Sequence, residues 1–173
     1  MFRRLRYGAV LAAVAVIGVF VFGTAQAQTE PPPIVIETLT PRAVFTDDVG
    51  LQINLKLDGH GTEVINAKDP SRMVTIRVTV QPGAQIPWHT HHGSVFVTIA
   101  QGELTYVSSD DCLGRLYPAG TTFVDPGHGH VHTAYNSGDT VTVFVATFFE
   151  VPETGVITIP ADAPADCQIP TNS

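Results

Sequence analysis

An all-β fold, an antiparallel sandwich or barrel, is predicted by three features of the chain: two stretches of strict apolar alternation, closely spaced Gly/Pro turns, and no helical period outside the N-terminal segment. Leu51, Ile53, Leu55 and Leu57 alternate with polar residues, as do Val74, Ile76, Val78 and Val80. Successive side chains leave a strand on opposite faces, so a period of two marks a half-buried strand. Further strands are predicted at Val95 to Ala100, Glu103 to Ser108, Thr121 to Val124, Val131 to Tyr135 and Thr140 to Glu150. Their boundaries are Pro82-Gly83, Gln101-Gly102, Pro118-Ala119-Gly120, Pro126-Gly127 and Ser137-Gly138, residue pairs and triplets suited to tight turns.

The two ends of the chain read differently from this middle. Residues 1–27 have a basic start at Arg3, Arg4 and Arg6, an apolar stretch from Tyr7 to Gly23, and Ala25-Gln26-Ala27 as a small-x-small cleavage site. That is the pattern of a secretory signal peptide, and it predicts a secreted or extracytoplasmic protein, periplasmic or on the cell envelope. Uncleaved, the segment would sit at the short edge of what spans a bilayer, and only then is a membrane association expected. Residues 28–33 form a polar, proline-bearing linker, residues 34–160 the folded domain, and residues 161–173 a C-terminal tail.

Export makes the two cysteines, Cys112 and Cys167, candidates for a disulfide that ties the tail to the loop at Ser108 to Cys112. Neither has a second Cys or His at zinc-knuckle spacing. Three of the nine basic residues, and none of the sixteen acidic ones, lie in residues 1–27, so the remainder carries a net charge of −10. A surface of that sign argues against a nucleic-acid partner. Glycine-rich phosphate loops and a Gly-x-Ser-x-Gly elbow are absent, which removes nucleotide hydrolysis and serine-esterase chemistry from consideration.

Six of the seven histidines fall in two short segments, Trp88-His89-Thr90-His91-His92 and His128-Gly129-His130-Val131-His132. In an extended chain, residues two apart share a face at about 6.6 Å, so His89 and His91 can converge on one ion while His92 points away. The second segment offers His128, His130 and His132 at the same period. His128, between glycines, is expected at the surface or behind the ligands, and His60, also between glycines, is expected to be a plain turn residue. Glu103 starts a strand and is expected to face solvent.

Gly83, His89, His91 and Gly102 resemble the first motif of the cupin superfamily, Gly-x5-His-x-His-x3-Glu-x6-Gly, at every spacing; Val95 stands where that motif has its glutamate. Gly120, Pro126, Gly129, His132 and Asn136 resemble the second motif, Gly-x5-Pro-x-Gly-x2-His-x3-Asn, with one extra residue between Pro126 and Gly129. The motif resemblance covers Gln81 to Asn136. It implies a double-stranded β-helix, the cupin jelly-roll barrel, and it implies that His89, His91 and His132 bind a divalent transition metal (Mn, Fe, Ni, Cu or Zn). His130 is the alternative third ligand, because the extra residue shifts the loop register. Trp88, Val95, Phe96, Tyr106 and Phe123 are candidates for the lining of the pocket.

With Val95 in the glutamate's place, three neutral imidazoles remain, as in cupins that resemble cysteine, gentisate or acetylacetone dioxygenases. An all-imidazole set leaves the ion's charge uncompensated and about three positions open on an octahedral ion, which favours a small, anionic, chelating ligand. Imidazoles must be neutral to ligate, so release of metal is expected below about pH 6. Two functions follow: a metalloenzyme of dioxygenase-like or Lewis-acid type, or a non-catalytic module that binds a small ligand or metal. A structural interaction domain with vestigial histidines is the third, and the fold alone does not choose among them. A homodimer by sheet augmentation through Ile34 to Thr38 is also left open.

Overall fold

The computed structural model describes residues 32–56, 61–67, 70–167 and 169, all within the unit Pro31–Ser173. The signal peptide and the membrane association it would allow, residues 28–31 of the linker, Leu57, His60 and the last part of the tail lie outside the described residues. Within them the chain is all β, with no helix.

The strands are β1 (Ile34–Thr38), β2 (Ala43–Val44), β3 (Leu51–Lys56), β4 (Thr62–Ala67), β5 (Arg72–Val80), β6 (Gln85–Thr90) and β7 (Val95–Gln101). They continue as β8 (Glu103–Ser108), β9 (Gly114–Pro118), β10 (Thr122–Asp125), β11 (His132–Tyr135), β12 (Thr142–Phe148) and β13 (Ile159–Pro160). One sheet runs β1-β5-β12-β7-β10, with β2 also on β5; a second runs β13-β6-β11-β8-β9; β3 and β4 form a separate hairpin. This is the antiparallel double-stranded β-helix.

Alternation explains which face each strand buries. Val74, Ile76, Val78 and Val80 of β5 are at most 5% exposed, and they join Val97 and Ile99 of β7, Leu104 of β8 and Phe144 and Ala146 of β12 in one core between the two large sheets. The chain crosses from one sheet to the other at Gly102, between β7 and β8. Its φ of +70° is unfavourable for a side chain, and a Cβ there would lie 2.8 Å from the Val141 carbonyl oxygen. Asn136 closes the turn after β11: its amide donates to the carbonyls of Val80 (3.0 Å) and Thr140 (2.7 Å) and its oxygen accepts from the Gly138 amide.

β2, β4, β9 and β13 were not expected from the pattern, and β6 only as an extended stretch at His89 to His91. In β4 the buried residues are Ile65 and Ala67, while Val64 is 51% exposed, so its apolar residues do not alternate. β1 pairs with β5 of its own chain, Ile34 opposite Val80 and Thr38 opposite Ile76. A smaller cluster of Trp88, Val107 and Cys167 packs on the outer face of the second sheet. Cys167 is joined to Cys112 there, at a sequence separation of 55. In the chain-entropy description, a cross-link over such a span stabilises by about 4 kcal/mol. The tail is therefore tied down: β13 pairs with β6, Ile159 opposite Thr90, and the Ala161 amide donates to the Trp88 carbonyl at 3.0 Å.

Candidate metal centre

The site is built where β6 and β11 lie side by side. In an antiparallel pair, directly opposed residues share a face, and His132 stands opposite His89. His91 follows two residues later on the same face. All three rings are buried, at 5 to 7% exposure, and their ligating nitrogens lie within 4.8 Å of one another. Ring centroids are 4.2 Å apart for His89 and His132, 4.8 Å for His89 and His91, and 5.2 Å for His91 and His132.

Backbone carbonyls set two of the tautomers. His89 Nδ1 donates to the Pro87 carbonyl at 2.6 Å, and His91 Nδ1 donates to the Ile157 carbonyl at 2.9 Å. A ring that donates through Nδ1 keeps a lone pair on Nε2, the form a metal requires. His132 stacks on Tyr106 at 5.0 Å, and the edge of Phe148 meets His91 at 5.0 Å. His132 Nδ1 has no hydrogen-bond partner.

Burial acts on the charge state. Desolvation, reinforced by His132, lowers the His89 pKa to about 3. Desolvation also lowers His91, against the opposing pull of Asp125. Burial thus biases both rings toward the neutral form that a metal requires.

Asp125, at the end of β10, was not anticipated as part of the site. Its side chain is 1% exposed, its Oδ1 accepts from the Gly127 amide at 2.8 Å, and its Oδ2 lies 3.0 Å from His132 Nε2 and 3.7 Å from His91 Nε2. Oδ2 has no partner outside these imidazoles. Burial alone would raise this carboxyl, but the imidazoles of His132 and His91 and the Gly127 amide outweigh it and hold the group below the usual range. A signal was present in the sequence: Asp125 is two residues from the core residue Phe123 on one strand, so both face inward.

The other predicted residues separate. Val95, Tyr106 and Phe123 line an apolar cavity of about 270 Å³ together with the three histidines, Asp125 and Thr158. Burial raises the Tyr106 pKa, so its hydroxyl stays protonated. Trp88 and Phe96 depart from the expectation that they line the pocket. Trp88 precedes the inward His89 and so faces outward, onto Val107 and Cys167. Phe96 lies between the inward Val95 and Val97 and packs edge-on against Phe149 at 5.3 Å.

His130, the alternative ligand, is held away from the triad by Glu63 (2.9 Å) and Asp110 (3.2 Å). His128 pairs with Glu150 at 2.9 Å, and His92 is exposed. Glu103 is half-buried rather than solvent-facing, with Oε1 3.5 Å from the Ser137 hydroxyl. The extra residue of the second motif is absorbed by Gly127, His128 and Gly129, whose φ values are +67°, +52° and +92°. This left-handed stretch takes up the added length and returns His132 to register with His89.

Residues 76–148 match the Cupin domain family. No curated protein matches the chain. Among solved structures, a conserved protein with a double-stranded β-helix domain from Klebsiella pneumoniae is 27% identical over 53% of this chain and 70% of its own, with a TM-score of 0.40. An oxalate oxidase in complex with the substrate analogue glycolate is 31% identical over 46% of this chain and 43% of its own, with a TM-score of 0.41. The oxalate decarboxylase of Bacillus subtilis, with Mn(II) centres, is 28% identical over 44% of this chain and 21% of its own, with a TM-score of 0.40. The chain thus spans less than half the length of that oxidase and about a fifth of that decarboxylase. With the barrel, the two histidine segments and the matched region together, the chain belongs to the cupin superfamily, and residues 76–148 are its cupin domain.

Proposed function

We propose that the protein is an exported metal-binding cupin that takes a small, chelating, anionic molecule at a divalent transition ion held by His89, His91 and His132. The observation that carries this reading is the set of three buried imidazoles, two with Nδ1 committed to a carbonyl, at one wall of an apolar cavity. Such donors suit Mn, Fe, Ni, Cu or Zn. A bound ion would supply Lewis-acid or redox chemistry to the chelated molecule. The chain's own part is to favour the neutral forms of His89 and His91, to exclude water with apolar walls, and to admit a ligand no larger than the cavity. The basic, apolar and small-residue N-terminal pattern and the Cys112–Cys167 disulfide support an extracytoplasmic location.

The second reading, a non-catalytic small-ligand or metal binder, is favoured by the lining itself. Apart from the triad and Asp125, Tyr106 is the one titratable residue among those lining the cavity, so proton transfer has few candidates. Metal content of the purified protein, set against a His89→Ala/His91→Ala variant, tests the shared part of both readings. Near-stoichiometric metal lost in the variant supports them, and no metal after reconstitution overturns them. Following O₂ uptake across β-diketones, phenolics and thiols then separates enzyme from binder.

A further inference from the structure

We infer that Asp125 is a fourth protein ligand of the ion, a carboxylate moved one strand away from the position where the family's first motif carries glutamate. The inference rests on the metal reading above and deepens it. Val95 occupies the glutamate position on β7, and the residue directly opposite it on β10 is Asp125. Both side chains face the cavity, at 2% and 1% exposure. Opposed residues on one face of an antiparallel pair have Cβ atoms about 5 Å apart, so a carboxylate at either position serves the same space.

The distance to His132 agrees with adjacent positions on one ion, and the longer one to His91 with a wider angle between donors. Donor atoms each about 2.1 Å from one ion and about at right angles to each other are about 3 Å apart. Asp125 Oδ2 lies 3.0 Å from His132 Nε2 and 3.7 Å from His91 Nε2. Its Oδ1 is committed to the Gly127 amide at 2.8 Å, which leaves Oδ2 as the presented atom. A buried carboxylate requires a compensating cation. Among the described residues its ion-pair partners are these two histidines and neither an arginine nor a lysine. A divalent ion meets that need and satisfies Oδ2 at once.

The consequence is a site of three imidazoles and one carboxylate, with a net charge of +1 in place of +2 when a divalent ion is bound. Such a site favours a monoanionic chelator over a dianion. The departure at Val95 then changes the strand that delivers the carboxylate and leaves the donor set whole.

The test uses the full chain and Mn²⁺, Zn²⁺ and Co²⁺ as probes, with affinity measured against a competing chelator. The variants are Asp125→Asn, the relocation Asp125→Ala/Val95→Glu, and His89→Ala/His91→Ala, each checked for a cooperative melt without metal. Asp125→Asn is expected to weaken Mn²⁺ binding by about 100-fold and to change the visible bands of the Co²⁺ protein, and the relocation is expected to recover affinity to within about tenfold of the parent. Unchanged affinity and unchanged Co²⁺ bands in Asp125→Asn, with metal lost in His89→Ala/His91→Ala, would overturn the assignment and leave the metal reading standing. A folded relocation variant that recovers nothing also overturns it. No binding of any probe by the parent protein would sink both.

Discussion

The two histidine segments are close in composition and spacing, yet one delivers two residues to the site and the other delivers one. His89 lies on β6 and His91 directly follows its last residue, so alternation carries both to one face. In the second segment three consecutive left-handed residues at 127–129 interrupt the extended chain, so His128 and His130 turn outward to Glu150 and to Glu63 and Asp110, and only His132 re-enters a strand. A period of two is therefore a reliable guide to shared direction only where the backbone is continuously extended. Histidine spacing on a glycine-rich loop carries no such information.

The contrast is most directly broken by paired substitutions in the second segment. His132→Ala is expected to weaken metal binding by about 100-fold or more, and His130→Ala by less than about threefold. Equal losses in a chelator competition would mean that the loop reaches the ion as well. In the first segment, the Ile157 carbonyl that His91 contacts lies ten residues before Cys167, which the disulfide anchors. Cys112→Ser/Cys167→Ser is expected to cost up to about 4 kcal/mol in denaturant unfolding. A smaller, measurable drop in metal affinity should accompany it as the hold on His91 loosens.

Two glycines with positive φ, Gly127 and Gly120, differ in their surroundings. A Cβ at Gly127 would lie 2.0 Å from the Gly93 carbonyl oxygen, whereas at Gly120 nothing stands within 4 Å. Gly127→Ala is expected to cost about 2 to 3 kcal/mol, and Gly120→Ala about 1 kcal/mol, its φ of +85° being the whole penalty. Similar losses in thermal unfolding would show that the contact at Gly127 relaxes freely.

The smallest effect, per unit, is the pH dependence of the metal-free protein. His89 has its pKa lowered to about 3 by burial, so below its ordinary 6.5 the unfolded chain takes up a proton that the native state refuses. Stability is therefore complete above pH 6.5 and falls as pH drops toward 3, by at most about 1.4 kcal/mol per pH unit for this one group. His91, also lowered, acts in the same direction. A flat profile between pH 6.5 and 4 would show that the site opens to water before it titrates.

Much of this was legible beforehand. β5, β7 and β8 follow from alternation and turn residues, because a strand's inward face is a local property of its own residues. The pairing of Cys112 with Cys167 followed from there being two cysteines and a signal-like N-terminus. The outward directions of Trp88 and Phe96 were legible too, each being next to a residue that faces inward; aromatic character had suggested a pocket role that parity excludes. β4 escaped because its apolar residues do not alternate.

What the residues establish unaided is that this chain makes an antiparallel barrel and presents imidazoles at two places along it, since both depend on period and composition over a few positions. Which histidines meet, and that Asp125 stands across from Val95 with an oxygen 3.0 Å from His132, depends on strand register between segments about 30 to 40 residues apart. Register is set by the packing of the whole inner face and by the left-handed turn at 127–129, and a one-residue slip would send every one of these side chains to the opposite side of its sheet.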